Sequence, residues 1–202
     1  MKRIILASQS PRRKELLTAM DVPFDVVPSR FDEQLDDSRT PEDVAKELGL
    51  GKALAVAEQY PDAIVVGSDT IVSLGGKQLE KPVDAEEARA TLHMLSGRMN
   101  VVTTSVAVVC KNQGVELVGA VSTKVFFKPA DANAIDYYVD TGDPLDKAGS
   151  YGIQSGAHVL VDHIEGDYDA VIGLPTKLLA EYLTILDVQA KPVELTAPVP
   201  AR

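Results

Sequence analysis

Two arginines follow a serine–proline pair in Ser8-Gln9-Ser10-Pro11-Arg12-Arg13, and this is the arrangement in the chain best suited to an anion. Ser10 suits a helix N-cap and Pro11 the first helical position, which places both arginines in the first turn. A helix start already carries about half a positive charge. Cations are disfavoured there unless an anion lies between them and the free backbone N–H groups. The alternative is a pair of solvated arginines near a negative surface. A second cluster, Gly67-Ser68-Asp69-Thr70, follows a purely apolar run. A strand over 63–67 would leave Asp69 and Thr70 just beyond its carboxyl side, the edge at which α/β sheets bind ligands. An Asp after a strand also serves as an ordinary turn or cap residue. Glu80-Lys81-Pro82 adds an acid and a base in a stretch expected to run near the same edge, and Glu33 and Lys52 join the inventory, although each also suits a plain surface.

Taken together, Arg12, Arg13, Lys52 and Lys81 would neutralise a polyphosphate, while Glu33 and Asp69 would hold a hard divalent cation. Magnesium is commonly bound by one or two carboxylates plus substrate phosphate oxygens. Zinc is not suited: His93, His158 and His163 lack ligand spacing and Cys110 stands alone. Gly49-Leu50-Gly51-Lys52-Ala53 lacks the first glycine and the hydroxyl of a phosphate-binding P-loop, and there is no GxGxxG.

These residues need elements to carry them. The pattern predicts a buried strand over 3–7, a helix over 11–20 and a strand over 24–27. Thr40-Pro41-Glu42-Asp43 opens a helix towards Ala57, weakened in the middle by Gly49 and Gly51. After the strand at 63–67, Gly75-Gly76-Lys77 makes a turn and Asp84 caps a helix to about Leu95. Strands over 101–109 and 115–127 form a long hairpin around Asn112-Gln113-Gly114. A short helix over 134–139, a glycine-rich polar stretch over 142–156 and a helix over 176–186 follow. Crossovers mixed with hairpins argue for an α/β fold with a mixed sheet. Residues 1–190 are expected to form a single domain, and the Pro-rich tail 191–202 to be disordered.

Composition narrows the partners. A formal net charge of −10 opposes a nucleic-acid surface, which usually needs a basic excess. No apolar run approaches the roughly 18 residues of a membrane span. The N-terminal apolar stretch is too short for a signal peptide and is cut off by Ser8 to Arg13. Cys110 sits in an apolar alternating stretch, as a buried thiol in a reducing compartment would. A cytoplasmic enzyme of small anions is the expectation.

The motifs resemble those of the Maf family of nucleoside triphosphate pyrophosphatases. The matching stretches are Leu6 to Arg13, Gly67 to Thr70, Glu80-Lys81-Pro82, Gly97-Arg98 with Val102-Thr103, Asp146 to Gln154, and Gly166-Asp167-Tyr168 to Gly173-Leu174-Pro175. They run in the family's order from residue 3 to about 187. The resemblance implies a two-lobed, ITPase-like α/β fold: a long mixed sheet flanked by helices, with the active cleft between the lobes. It implies a homodimer that needs a divalent metal, magnesium or manganese. Residue by residue it implies that Asp69 is the proton acceptor and, with Glu33, a metal ligand. Arg12, Thr70 and Gln154 would set nucleotide preference, and Ser8, Arg13, Lys52 and Lys81 would bind phosphate. Tyr151-Gly152-Ile153-Gln154 is similar to the subfamily acting on dTTP and UTP. Two positions depart from the family pattern: Asn100 stands where many members have histidine, and Ser155 follows Gln154 where glycine is usual. A rival expectation is a nucleotide-binding regulator of septation, which would keep the arginines but not need Asp69. A phosphatase that removes only the terminal phosphate is a third.

Overall fold

The run Ile4-Ile5-Leu6-Ala7 is apolar throughout because its strand, β1 (Ile4–Leu6), is covered on both faces. Successive side chains point to opposite sides. Ile4 and Leu6 enter a large core with Leu16, Leu17 and Met20, whereas Ile5 and Ala7 enter a second core with Ala53, Val56 and Ala57. The computed structural model describes residues 2–32, 36 and 38–195.

β1 pairs in parallel with β2 (Asp25–Val26) and β3 (Ile64–Leu74). β3 pairs antiparallel with β5 (Met99–Cys110) and with β4 (Lys77–Leu79). β6 (Val115–Phe127) pairs antiparallel with β5 and with β7 (Val161–Glu165). The result is a seven-stranded mixed sheet in the order β2-β1-β3-β5-β6-β7, with β4 on β3. Helices flank it: α1 (Pro11–Ala19), α2 (Pro41–Ala57), α3 (Ala85–Leu95), α4 (Ala132–Val139), α5 (Tyr168–Ile172) and α6 (Thr176–Ile185). α2 packs across β3, β5 and β6, while α3 and α4 pack together against the turns that follow residue 143. The expected α/β fold with a long mixed sheet is what the chain forms.

The largest difference from the sequence reading is the length of β3. It does not stop at Gly67 but continues to Leu74, so Asp69 and Thr70 lie inside the strand and not beyond it. The β-branched run Thr70-Ile71-Val72 favours extension, and the strand ends only where Gly75 and Gly76, both at positive φ, turn the chain into β4. β4, β7 and α5 had no counterpart in the expected elements. The Pro-rich segment begins with bound residues: Lys191 N–H donates to the Met20 carbonyl, Val193 N–H donates to Thr176 Oγ1, and Val193 is buried.

Gly49 and Gly51 lie within an unbroken α2 because packing needs them small. A Cβ at Gly49 would stand 2.3 Å from Ser105 Oγ, and one at Gly51 2.4 Å from the Phe31 ring. Across the contact, a Cβ at Gly67 would stand 2.2 Å from the Gly49 carbonyl oxygen and 2.8 Å from the Ala53 backbone nitrogen. Both obstacles are backbone, so neither yields by a rotamer change. Gly67→Ala is therefore expected to destabilise by about 1–3 kcal/mol, a fall in Tm of several degrees for a chain of this size. An unchanged thermal unfolding curve would refute close α2–β3 contact at this point.

Candidate active site

Where β1 ends, β3 goes on. β1 covers one edge of β3 only at Ile64, Val65 and Val66, and β4 takes up the same edge only from Val72. The other edge is held by β5 from Val65 to Ser73. Between these limits β3 borders a cleft of about 720 Å³, within the usual size for small-molecule sites. Its walls include Ser8, Arg12, Arg13, Lys52, Asp69, Thr70, Lys81, Asp146 and Gln154.

Because neighbours on a strand face opposite ways, Ser68 and Thr70 serve one face of the sheet and Asp69 the other. Ser68 Oγ donates to the Gly173 carbonyl at 3.0 Å. Arg13 donates through Nε to the same carbonyl at 2.9 Å and through Nη2 to Thr70 Oγ1 at 3.2 Å. Thr104 Oγ1 donates to the Ala170 carbonyl at 2.6 Å and lies 3.0 Å from Thr70 Oγ1. The Gly166-to-Pro175 motif thus builds a short helix whose end presents the Gly173 carbonyl to Arg13. On the opposite face, Lys52 of α2 donates to Asp69 Oδ1 at 2.5 Å, and both side chains are buried. Ser105 of β5 ties these two elements together. Its Oγ donates to the Ala45 carbonyl of α2 at 2.6 Å and accepts the Asp69 N–H at 3.1 Å.

α1 opens as the sequence predicts. Ser10 is its N-cap and accepts the Arg13 N–H, Pro11 follows at once, and no acid occupies the first turn. Ser8 is buried and accepts the Ser10 N–H at 3.1 Å and an Arg13 Nη1 contact at 3.5 Å. Arg12 is half-buried and reaches Asp146 Oδ2 at 3.6 Å. Lys81 and Gln154 are exposed along the cleft wall. The structure therefore gathers Ser8, Arg12, Arg13, Lys52, Asp69, Thr70, Lys81 and Gln154 around one cleft. Glu33 lies outside the described residues.

The cleft wall around Gln154 is held by a polar cluster: Asp146, Lys147, Tyr151 and Gly152 belong to the Asp146-to-Gln154 motif, whereas Tyr138 and Asp143 lie outside it. Buried Lys147 bonds to the Asp143 carbonyl and carboxylate at 2.6 and 2.8 Å, and to Asp146 Oδ1 at 2.7 Å. Tyr138 OH donates to Asp143 Oδ2 at 2.5 Å and accepts the Gly152 N–H at 2.9 Å. Burial would raise the Asp143 carboxyl, but hydrogen bonds from Lys147, Tyr138 and Ser155 outweigh it and hold Asp143 below the usual carboxylate range. Burial, helped by the Asp143 bond, pushes the Tyr138 phenol well above its ordinary value, so the hydroxyl keeps its proton. Tyr151 OH donates to Asn100 Oδ1 at 2.8 Å, and Asn100 Nδ2 donates to the Val125 carbonyl at 3.1 Å. Among the contacts absent from the sequence expectations, Ser105 has a sequence signal: Thr103-Thr104-Ser105 interrupts the otherwise apolar run from Val101 to Cys110, and all three are buried.

A cation-binding cluster of three or more His, Cys, Asp or Glu side chains is absent among the described residues. Asp69 supplies one carboxylate at the cleft, which fits a divalent ion held chiefly by substrate phosphates. Among the described residues no helix is long and apolar enough to cross a membrane.

Fold and cleft together define an α/β protein that gathers basic side chains against a buried carboxylate at the open edge of a mixed sheet. The chain belongs to the Maf family: the sequence profile described as Maf-like protein matches residues 3–186. It is 46% identical to a dTTP/UTP pyrophosphatase of Bacillus cytotoxicus over 93% of this chain and 97% of that one. It is likewise 46% identical to a dTTP/UTP pyrophosphatase of Symbiobacterium thermophilum over 91% and 94%. Among solved structures, a nucleoside-triphosphatase / dITP/XTP pyrophosphatase from Mycobacterium abscessus is similar at a TM-score of 0.44 and 19% identity, over 78% of this chain and 93% of that one.

Proposed function

We propose that this protein hydrolyses dTTP and UTP to the monophosphate and pyrophosphate. The observation that carries this is the placement of the buried Asp69–Lys52 pair beside the arginine-bearing start of α1 in one nucleotide-sized cleft. The relatives named dTTP/UTP pyrophosphatase, 46% identical over nearly their whole length, support the substrate.

In this reading Arg12, Arg13, Lys81, Ser8 and the α1 N-terminus receive the triphosphate. Asp69 accepts the proton of a water that attacks the α-phosphorus, and the bond to the pyrophosphate leaving group breaks. Lys52, besides its expected contact with phosphate, holds the Asp69 carboxylate in position. A bound magnesium or manganese ion, with Asp69 and Glu33 as its protein ligands, would supply charge neutralisation and water activation. Arg12, Thr70 and Gln154 set nucleotide preference in this reading, with Thr70 bonded to Arg13 and Arg12 paired with Asp146. Gln154 would pair with the base. Uracil and thymine present an imide N–H beside a carbonyl, which one amide can match bidentately. The reading extends to a homodimer working on free nucleotides in the cytoplasm, with residues 1–190 as its catalytic unit.

The deciding experiment is a panel of nucleoside triphosphates with metal present and products identified. Pyrophosphate with UMP or dTMP is the expected result. Orthophosphate with the diphosphate would indicate terminal-phosphate removal, and binding without turnover would favour the regulatory alternative.

Arg13→Ala tests the phosphate assignment. Loss of a charged hydrogen-bonding partner is worth about 1.5–3 kcal/mol, so triphosphate binding should weaken roughly ten- to hundredfold. Uridine binding should change far less. Calorimetric titration with nucleotide and nucleoside checks this, and equal losses for both ligands would mean that Arg13 does not contact phosphate.

A further inference from the structure

Gln154 stands third in a tight turn closed by the Ser155 N–H on the Gly152 carbonyl at 3.1 Å. The Ala157 N–H reaches the same carbonyl at 3.3 Å. An exposed glutamine on such a turn has many orientations, so selecting a base requires the turn itself to be held. Tyr138 holds it from beneath. This side chain is 1% exposed. Its hydroxyl accepts the N–H of Gly152, which opens the turn. Its ring edge lies 3.3 Å from the place a Cβ would take on Gly156, just past the turn, where φ is +119°. The same hydroxyl donates to Asp143, whose carboxylate also receives Lys147. A Cβ on Gly152 would stand 2.4 Å from the Lys147 side chain, so the turn rests on Lys147 as well.

We infer that Tyr138, anchored by Asp143, is a positioning residue that aims Gln154 and thereby sets base discrimination. The inference rests on the reading of Gln154 as the base-contacting residue. Tyr138 touches neither substrate nor reacting atoms and acts only through the turn. Ser155, one of the two departures from the family pattern, closes the turn through its backbone N–H on the Gly152 carbonyl. The other departure, Asn100, holds the neighbouring Tyr151.

The test is steady-state kinetics on UTP, dTTP, CTP and GTP for the wild-type protein, Tyr138→Phe, Gln154→Ala and the double variant. Tyr138→Phe keeps the buried ring and removes only the hydroxyl. The ratio of kcat/KM for UTP over GTP should fall about three- to tenfold, the scale of losing one or two hydrogen bonds. The loss should appear mainly in KM, with GTP turnover nearly unchanged. In the double variant the ratio should match that of Gln154→Ala alone, because both changes remove the same contact. Asp143→Asn, which weakens the anchor of the Tyr138 hydroxyl, should shift the ratio in the same direction by a smaller factor, and it provides the measurement if Tyr138→Phe does not fold. A Tyr138→Phe protein with lowered Tm but an unchanged ratio, beside a Gln154→Ala protein with a reduced one, would overturn the positioning role and leave the base reading intact. An unchanged ratio in Gln154→Ala would overturn both.

Discussion

Asp69→Asn is expected to reduce hydrolysis of UTP and dTTP by about 10²–10⁴, or roughly 3–5 kcal/mol of barrier. The substitution keeps the shape of the side chain within β3, and an amide oxygen still accepts a hydrogen bond from Lys52. What it removes is the capacity to take up a proton and the negative charge facing a cation. It also leaves the Lys52 ammonium buried without a counter-charge, and breaking a buried pair can itself cost a few kcal/mol. Thermal unfolding must therefore accompany the rate. A folded Asp69→Asn protein with nearly normal turnover would remove Asp69 from the chemistry. A folded but inactive protein that still binds nucleotide would support its role as proton acceptor.

Gln154→Ala should lower kcat/KM for UTP and dTTP by about ten- to hundredfold, since one bidentate contact to a base is worth roughly 1–3 kcal/mol of discrimination. Residual activity on purine triphosphates should change far less, because their phosphates meet the same arginines and lysines. The 5-methyl group of thymine points away from the imide edge, so UTP and dTTP should fall together. Steady-state comparison of the four triphosphates decides this. A uniform drop across all of them would show that Gln154 only supports its turn, and the pyrimidine preference would then rest on the named relatives alone.

Much of this site is local in origin and so visible in the sequence. The Ser10 cap, Pro11 and the two arginines act within one helical turn, and α1 begins where they predict. Thr40 and Asp84 likewise cap α2 and α3 by accepting N–H groups three residues on. The apolar run at the start of the chain predicts a short buried strand, and β1 forms there. The family motifs contain Arg13, Asp69 and Gln154, whereas Lys52 lies outside them.

What only the tertiary structure decided is where those residues meet and what holds them. Asp69 and Thr70 were expected past the end of a strand, yet they lie inside β3, and the opening arises because β1 stops while β3 continues. That geometry depends on the unequal lengths of two strands that pair across nearly 60 residues of sequence, and no local pattern encodes it. Gly49 and Gly51 appeared as weak points of a helix by intrinsic propensity. Their value is steric and comes from Ser105 and Phe31, which are distant in sequence. The Tyr138–Asp143–Lys147 support of the Gln154 turn is invisible for the same reason. A tyrosine on an amphipathic helix is indistinguishable from core until the fold sets its hydroxyl against one backbone N–H and one carboxylate. Propensity and capping act over three or four residues, whereas the shape of a cleft and the aim of a side chain are set by packing between segments that only folding brings together.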